Sequence, residues 1–418
     1  MKKTLAPWLL AGGMVTIAMA GCGTKPAPQP GPRTNASKPN GAPTPTSKAN
    51  GRLKVIAFYD QTMSTVAPDP FVLAKAHPGL VTYLSPFWYE VSSSGSIVSK
   101  PEGNAATLAA QDHLPLMPLF NNAGGTDAFL HSSSLRTTAI NNIATVVKSK
   151  KYAGVQIDFQ RLKVSDRSDL TRFMQSLKKA LPKNVSLSMS VVPLTSKSGQ
   201  SQAYDFAALD KAVNSMVLMA YDLHGDGTVP GPVAPYAWVK KSIATALKAG
   251  IAPQKLYLGI ANYGYLWTNG TTKAKTIPLK VMHQHKYGAY TWNPTYREAY
   301  DKYTAGGTSH IIWFENDRAA ADRIALAKQY HLGGVAFWRL GYEDAKWWNT
   351  VAHAIGNAGA TTRAARPNVS PQHAAQNATN TVNKAGKKTQ NNIKKRGNKT
   401  LISPTQRAKN VTKKKGQG

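Results

Sequence analysis

From residue 53 onward the chain alternates short, nearly continuous apolar runs with longer segments whose apolar residues recur every three or four positions. The runs are Leu53–Tyr59, Leu80–Tyr89, Leu114–Phe120, Tyr152–Phe159, Val185–Val192, Ser215–Tyr221, Leu256–Asn262 and Gly334–Trp338. Unbroken hydrophobicity of that length predicts parallel strands covered on both faces. Between them, Asp166–Ala180 and Tyr236–Ala249 read as helices, with Leu170, Phe173, Met174 and Leu177 forming one stripe of the first. Eight strand-helix units over about 300 residues predict an α/β protein, a (β/α)8 TIM barrel. A doubly wound open sheet produces the same alternation; the count of eight favours the closed ring.

One connection is longer than a strand-to-helix crossover requires. Residues 263–330 hold Tyr290–Trp292, His310–Phe314 and a helical pattern over 318–330. They predict a small α+β insertion between the seventh and eighth units, on the C-terminal rim where barrel enzymes keep their sites.

The chemistry of a barrel lies where its strands end. The ends read Phe58-Tyr59-Asp60, Phe87-Trp88-Tyr89-Glu90, Asn121-Asn122, Asp158-Phe159-Gln160, Val192-Pro193, Met219-Ala220-Tyr221-Asp222, Asn262-Tyr263-Gly264-Tyr265 and Trp338-Arg339. Aromatic faces stack on the apolar faces of sugars, and amides and carboxylates bind hydroxyls, so the pattern points to a carbohydrate cleft. Any one aromatic residue there would more often be plain core. No Gly-rich strand-to-helix turn is present, which argues against a nucleotide phosphate site.

These residues resemble the family 18 glycoside hydrolases. Ala153-Gly154-Val155-Gln156-Ile157-Asp158-Phe159-Gln160 is similar to the family's fourth-strand signature, Asp-Gly-x-x-x-Asp-x-Glu. Met219-Ala220-Tyr221-Asp222 is similar to its sixth-strand Met-x-Tyr-Asp, and Trp338 falls at its eighth-strand Trp. Ser85-Pro86-Phe87-Trp88-Tyr89, Gly231-Pro232-Val233-Ala234-Pro235 with Trp238, and Gly333–Gly341 resemble the spore-germination branch. The resemblance spans about 51–350. It implies cleavage of β-1,4 links next to N-acetylglucosamine, with the substrate's own acetamide attacking and a Glu protonating the leaving oxygen. Asp158 would orient that acetamide and Tyr221 support it. The Glu is missing here: the acid position is Gln160, and an amide has no proton of suitable acidity. Ala153 and Gln156 also replace acids of the signature.

By the resemblance the catalytic positions are Asp158, Gln160 and Tyr221. The glycan contacts are Tyr59, Trp88, Asn121, Met219, Asp222, Asn262, Tyr263 and Trp338. The expectation is a protein that recognises N-acetylglucosamine-containing glycan, chitin-like or peptidoglycan, with hydrolysis lost or weak. Two alternatives stay open: a working glycosidase using another acid (Asp60, Glu90, Asp222 and Glu315 lie near strand ends), and a structural envelope protein with an adhesive tail. No cofactor or metal is expected, and the state expected is a monomer.

Charge changes the picture only at the two ends. The 418 residues carry a formal net charge of +32, but 1–50 and 359–418 contain no Asp or Glu. The 32 bases and 20 acids of 51–358 leave the middle at +12, ordinary for a basic globular domain. Residues 1–22 read as an export signal: Lys2 and Lys3 precede an apolar run that ends Met19-Ala20-Gly21-Cys22. The single cysteine at that point resembles a bacterial lipobox, so Cys22 is the expected lipidation site and the outer face of the cytoplasmic membrane the expected location, with the spore envelope as a further one. An ordinary signal peptide is the alternative. Residues 23–50, with seven prolines, read as a disordered tether. Residues 359–418 read as a disordered basic tail whose Lys-rich clusters suit an anionic wall polymer. No aromatic residues interleave those clusters, so base stacking is not offered and nucleic acid is disfavoured.

Overall fold

The computed structural model describes residues 52–60, 76–100, 105–194, 199–284 and 290–356. The expected leader, Cys22, the tether and the basic tail lie outside them.

All eight predicted runs are strands. They are β1 (Lys54–Tyr59), β2 (Tyr83–Val91), β4 (Leu119–Asn122), β5 (Gly154–Asp158), β6 (Ser186–Val191), β7 (Ser215–Leu218), β8 (Leu256–Ala261) and β14 (Gly334–Trp338). A three-residue β3 (Ile97–Ser99) pairs antiparallel with β2 beside the ring. The parallel order β1-β14-β8-β7-β6-β5-β4-β2 closes through a β1–β2 pairing, so the sheet is a barrel and not an open sheet. The third run forms its strand late: of Leu114–Phe120 only Leu119 and Phe120 lie in β4, and Leu116 makes a lone bridge to Leu84.

Strand parity divides each run between two cores. Ile56 and Phe58 pack with Met117, Leu119, Val217, Tyr257 and Ala336. Val55, Ala57 and Tyr59 join the larger core under the helices. The predicted stripe Leu170, Phe173, Met174 and Leu177 is wholly buried on helix Arg167–Ala180. The barrel interior also holds polar side chains: Gln156 donates to the Ser190 hydroxyl at 2.9 Å, and Ser215 to Ser188 at 2.9 Å. Gly154 opens β5 where a Cβ would lie 2.6 Å from Met117 and 2.9 Å from the Ser186 carbonyl, so the motif glycine is required by packing.

The insertion is more regular than its sequence suggests. Directly after Asn262 the chain enters a five-stranded antiparallel sheet, order β10-β9-β13-β12-β11, built from β9 (Tyr263–Thr268), β10 (Ala274–Pro278), β11 (Thr291–Asn293), β12 (Glu298–Ala305) and β13 (Thr308–Phe314). Helix Asp317–Gln329 then returns to the barrel. Arg323 of that helix ties the two sheets together. Its guanidinium is 2.9 Å from Glu315 and 3.4 Å from Glu298, all three side chains being almost fully buried. Glu298 also accepts the Val233 and Ala234 N–H groups at 2.8 and 2.6 Å, and Glu315 accepts the Ala261 N–H at 3.2 Å. Burial drives both carboxyl groups upward in pKa, and Arg323 opposes it.

Removing the guanidinium alone leaves two buried acids without a counter-charge. Arg323→Met is expected to lose about 3–5 kcal/mol of stability. A triple variant that also carries Glu298→Gln and Glu315→Gln recovers most of the loss. Urea unfolding of the three proteins checks the order.

Candidate functional site

A cavity of about 460 Å³ opens among Asp60, Phe87, Asn121, Asp158, Gln160, Asp222, Tyr263 and Trp338, with Lys100, Arg161, Tyr265, Thr276, Arg339 and Tyr342 around them. Most of these residues end or follow the parallel strands, so the cavity is the C-terminal mouth of the barrel.

At its centre β5 delivers Asp158. The strand alternates, so Gln156 and Asp158 share the inner side, whereas Phe159 turns out against Phe129 and Phe173 at centroid distances of 5.1 and 5.3 Å. Gln160 folds back on the carboxylate: its Nε2 donates to both Asp158 oxygens at 3.0 Å and lies 3.9 Å from Met219 Sδ. The backbone beneath is held by side chains. Asn122 Oδ1 accepts the Gln160 N–H at 2.8 Å, and Asn122 Nδ2 donates to the Gln160 carbonyl at 2.8 Å. Tyr204 donates to the Phe159 carbonyl at 2.7 Å.

Two wall acids titrate high. Burial pushes Asp158 up to about 6, against the pull of hydrogen bonds from Gln160 and Ser190. Asp222, at φ +60°, is likewise pushed up to about 6 by burial, although its Oδ1 accepts the hydroxyls of Tyr263 at 2.7 Å and Tyr265 at 3.0 Å. Two cations of the wall have acidic partners: Arg339 pairs with Asp60 and donates to the Tyr342 hydroxyl at 2.8 Å, and Lys100 is 3.0 Å from Glu90 and 3.5 Å above the Phe87 ring. The wall thus offers aromatic faces and hydrogen-bonding oxygens, which suits a polyhydroxyl ligand.

Six of the eleven expected site residues line the cavity: Asp158, Gln160, Asn121, Asp222, Tyr263 and Trp338. Met219 touches Gln160 from beside it. Tyr221, half-buried, packs edge-on to the wall residue Tyr263 at 6.5 Å, and burial together with the charges of Asp222 and Asp158 raises its hydroxyl pKa. Three more of the expected residues are almost fully buried. Tyr59 is 3% exposed and belongs to the core under the helices, and Trp88 is fully buried against Tyr152. Adjacent strand residues face opposite ways, so Phe58 and Phe87 take the inner positions; Phe58 packs on Trp338 and Phe87 reaches the wall. Asn262, 1% exposed, serves the fold instead: it accepts the Arg339 N–H at 2.7 Å and donates to the Arg339 carbonyl at 2.9 Å and Glu343 at 3.1 Å.

Other wall residues escaped the sequence. Phe87 was reachable by parity. Thr276 reaches the wall from β10, Lys100 from the residue that follows β3, and Tyr342 from the loop after β14. Among the described residues Asp127, His131 and Asp166, none of which lines the cavity, bring ligand-type atoms within 4.8 Å of one another. Lys163 is 2.7 Å from Asp127, and Asp166 accepts the Lys163 N–H at 2.7 Å, so local partners satisfy those acids.

Asp158 generates a pH signature. In an unfolded chain its carboxyl ionises near pH 4; in the folded protein it ionises near 6. Between those values folding takes up a proton, so this group's contribution to stability falls as pH rises through the window. Asp158→Asn should therefore gain stability relative to the wild type between pH 4.5 and 7.5, by on the order of 2 kcal/mol. Thermal melting at both pH values reads the change; a constant or opposite difference contradicts it.

The model of a family described as Glycosyl hydrolases family 18 matches residues 54–343. The cortical fragment-lytic enzyme of Bacillus anthracis is 26% identical over 315 residues, covering 70% of this chain and 72% of that one. The spore cortex-lytic enzyme SleL of Bacillus megaterium QM B1551 superposes with a TM-score of 0.64 at 24% identity, over 72% of this chain and 74% of that one. A chitinase of Chromobacterium violaceum ATCC 12472 gives 0.66 at 23% identity, over 73% and 99%. Those two likenesses speak for the fold, and the family match reaches from β1 past β14, across the whole barrel and its insertion. With Asp158 at the end of the fourth barrel strand and Trp338 at the end of the eighth, this chain belongs to family 18 of the glycosyl hydrolases.

Proposed function

We propose that the protein is an exported, membrane-tethered receptor for N-acetylglucosamine-containing glycan of the cell wall or spore cortex, in which hydrolysis has been lost or slowed. One observation carries the reading. The family places its proton donor where this chain has Gln160, and that amide is turned onto the carboxylate of Asp158. The exchange preserves side-chain size and hydrogen bonding while removing the acid, so binding can persist without the chemistry. The names of the relatives, which speak of spore-cortex lysis and of chitin, support the choice of glycan. Cys22 supplies the lipid anchor in this reading, and the basic segment 359–418 a contact with anionic wall polymer.

A second reading is a slow glycosidase. Asp222, on the cavity wall and pushed up to about 6, is the group that favours it.

Gln160→Glu should raise turnover of oligomeric N-acetylglucosamine or muropeptide by about 10²–10⁴-fold, the usual worth of general acid catalysis. Adding Asp158→Asn should abolish the gain. Wild-type turnover matching that of Gln160→Glu overturns the loss of hydrolysis, and its disappearance in Asp222→Asn would then favour the second reading. Cys22→Ser should move the protein from the membrane fraction to the soluble one.

A further inference from the structure

Gln160 carries a donor and an acceptor on one flat amide, and its neighbours set which faces where. An ionised carboxylate only accepts hydrogen bonds. The NH2 half therefore faces Asp158, 3.0 Å from both oxygens, with the Met219 sulfur beside it. Asn122 holds the peptide of residue 160 on both its N–H and its carbonyl, so the side chain departs from a fixed point. Since Gln160 lines the cavity, the half of the amide left for a ligand is the carbonyl Oε1, an acceptor. The wall across from β5 has the same polarity. Asp222 accepts two tyrosine hydroxyls, and those phenol oxygens, having given their protons to it, offer the ligand lone pairs.

We infer that this cavity selects the end of a glycan chain, a reducing-end sugar whose anomeric hydroxyl donates to Gln160 Oε1, over a chain that continues through a glycosidic bond at that point. The inference rests on the proposed function above, in which position 160 faces a linkage oxygen. That oxygen has lone pairs and no hydrogen. Set against Oε1 it leaves two desolvated acceptors unpaired, whereas a hydroxyl supplies the missing hydrogen. The protein then recognises fragments already cut, and its ligand must come from a hydrolytic reaction that exposes reducing ends.

Calorimetric titration of the full chain tests this with three trisaccharides of N-acetylglucosamine: one with a free reducing end, its methyl β-glycoside, and its 1-deoxy analogue. The free sugar should bind about tenfold more tightly than the other two, the size of effect expected when a buried acceptor loses its donor. The 1-deoxy sugar lacks the hydroxyl without added bulk, so weak binding by both altered sugars separates hydrogen bonding from crowding. In Gln160→Met, of similar size but with no acceptor, the preference should shrink to about twofold or less, since the paired acceptor is gone. Equal affinities in the wild type, or a preference for the methyl glycoside, overturn the selection of chain ends and leave the glycan receptor standing. Binding of none of the three removes the receptor reading as well. The wild-type comparison stands by itself should Gln160→Met fail to fold.

Discussion

The ring closes because β1 pairs with β14 on one side and with β2 on the other. In a closed parallel sheet each strand has one face toward the axis and one toward the helices, and a side chain's parity decides which it joins. Gln156 and Asp158 follow that rule inward and Phe159 outward; so do Phe58 inward and Tyr59 outward. The cavity is therefore an outcome of register. Moving β5 by one residue would bury Asp158 among Phe129 and Phe173 and present Phe159 to the ligand.

Burying a carboxylate at the mouth of that ring is costly, and the polar interior below it offsets part of the cost. Ser190 bonds both Asp158 and Gln156, and Gln160 covers the carboxylate from above. This chain thus holds the Asp158 carboxylate in a hydrogen-bonded cage, with the Gln160 amide turned onto it. The site offers strong acceptors, aromatic faces and two carboxyl groups pushed up to about 6, a wall that suits a polyhydroxyl ligand.

The insertion completes the opposite wall. Tyr263 and Tyr265 stand two residues apart on β9 and so point to one side, where both reach Asp222. Gly264 between them packs against β13 so closely that a Cβ would come within 2.2 Å of Phe314, which keeps the insertion sheet tight behind the tyrosines. Arg323, with Glu298 and Glu315, fastens that sheet to the barrel through backbone N–H groups at Val233, Ala234 and Ala261. A buried ionic cluster of this kind specifies one docking of insertion on barrel more than it adds stability.

Eight apolar runs and the helical stripes between them were legible because each is a local pattern: a strand buried on both faces must be apolar throughout, and a helix packed on one side must repeat every three or four residues. That residue 160 is a glutamine was equally plain, since identity needs no coordinates. Which of two neighbouring aromatics faces the axis was not written in composition, so Tyr59 and Trp88 were expected on a wall that Phe87 occupies. Asn262 looked like a ligand contact until the fold placed the Arg339 peptide beside it. Lys100, Thr276 and Tyr342 come to the cavity from elements outside the eight runs, and the turn of the Gln160 amide onto Asp158 depends on Asn122, 38 residues away. Local order follows from the chain's own periodicity, whereas the cavity is made by contacts between distant segments, and only closure of the barrel and docking of the insertion bring those together.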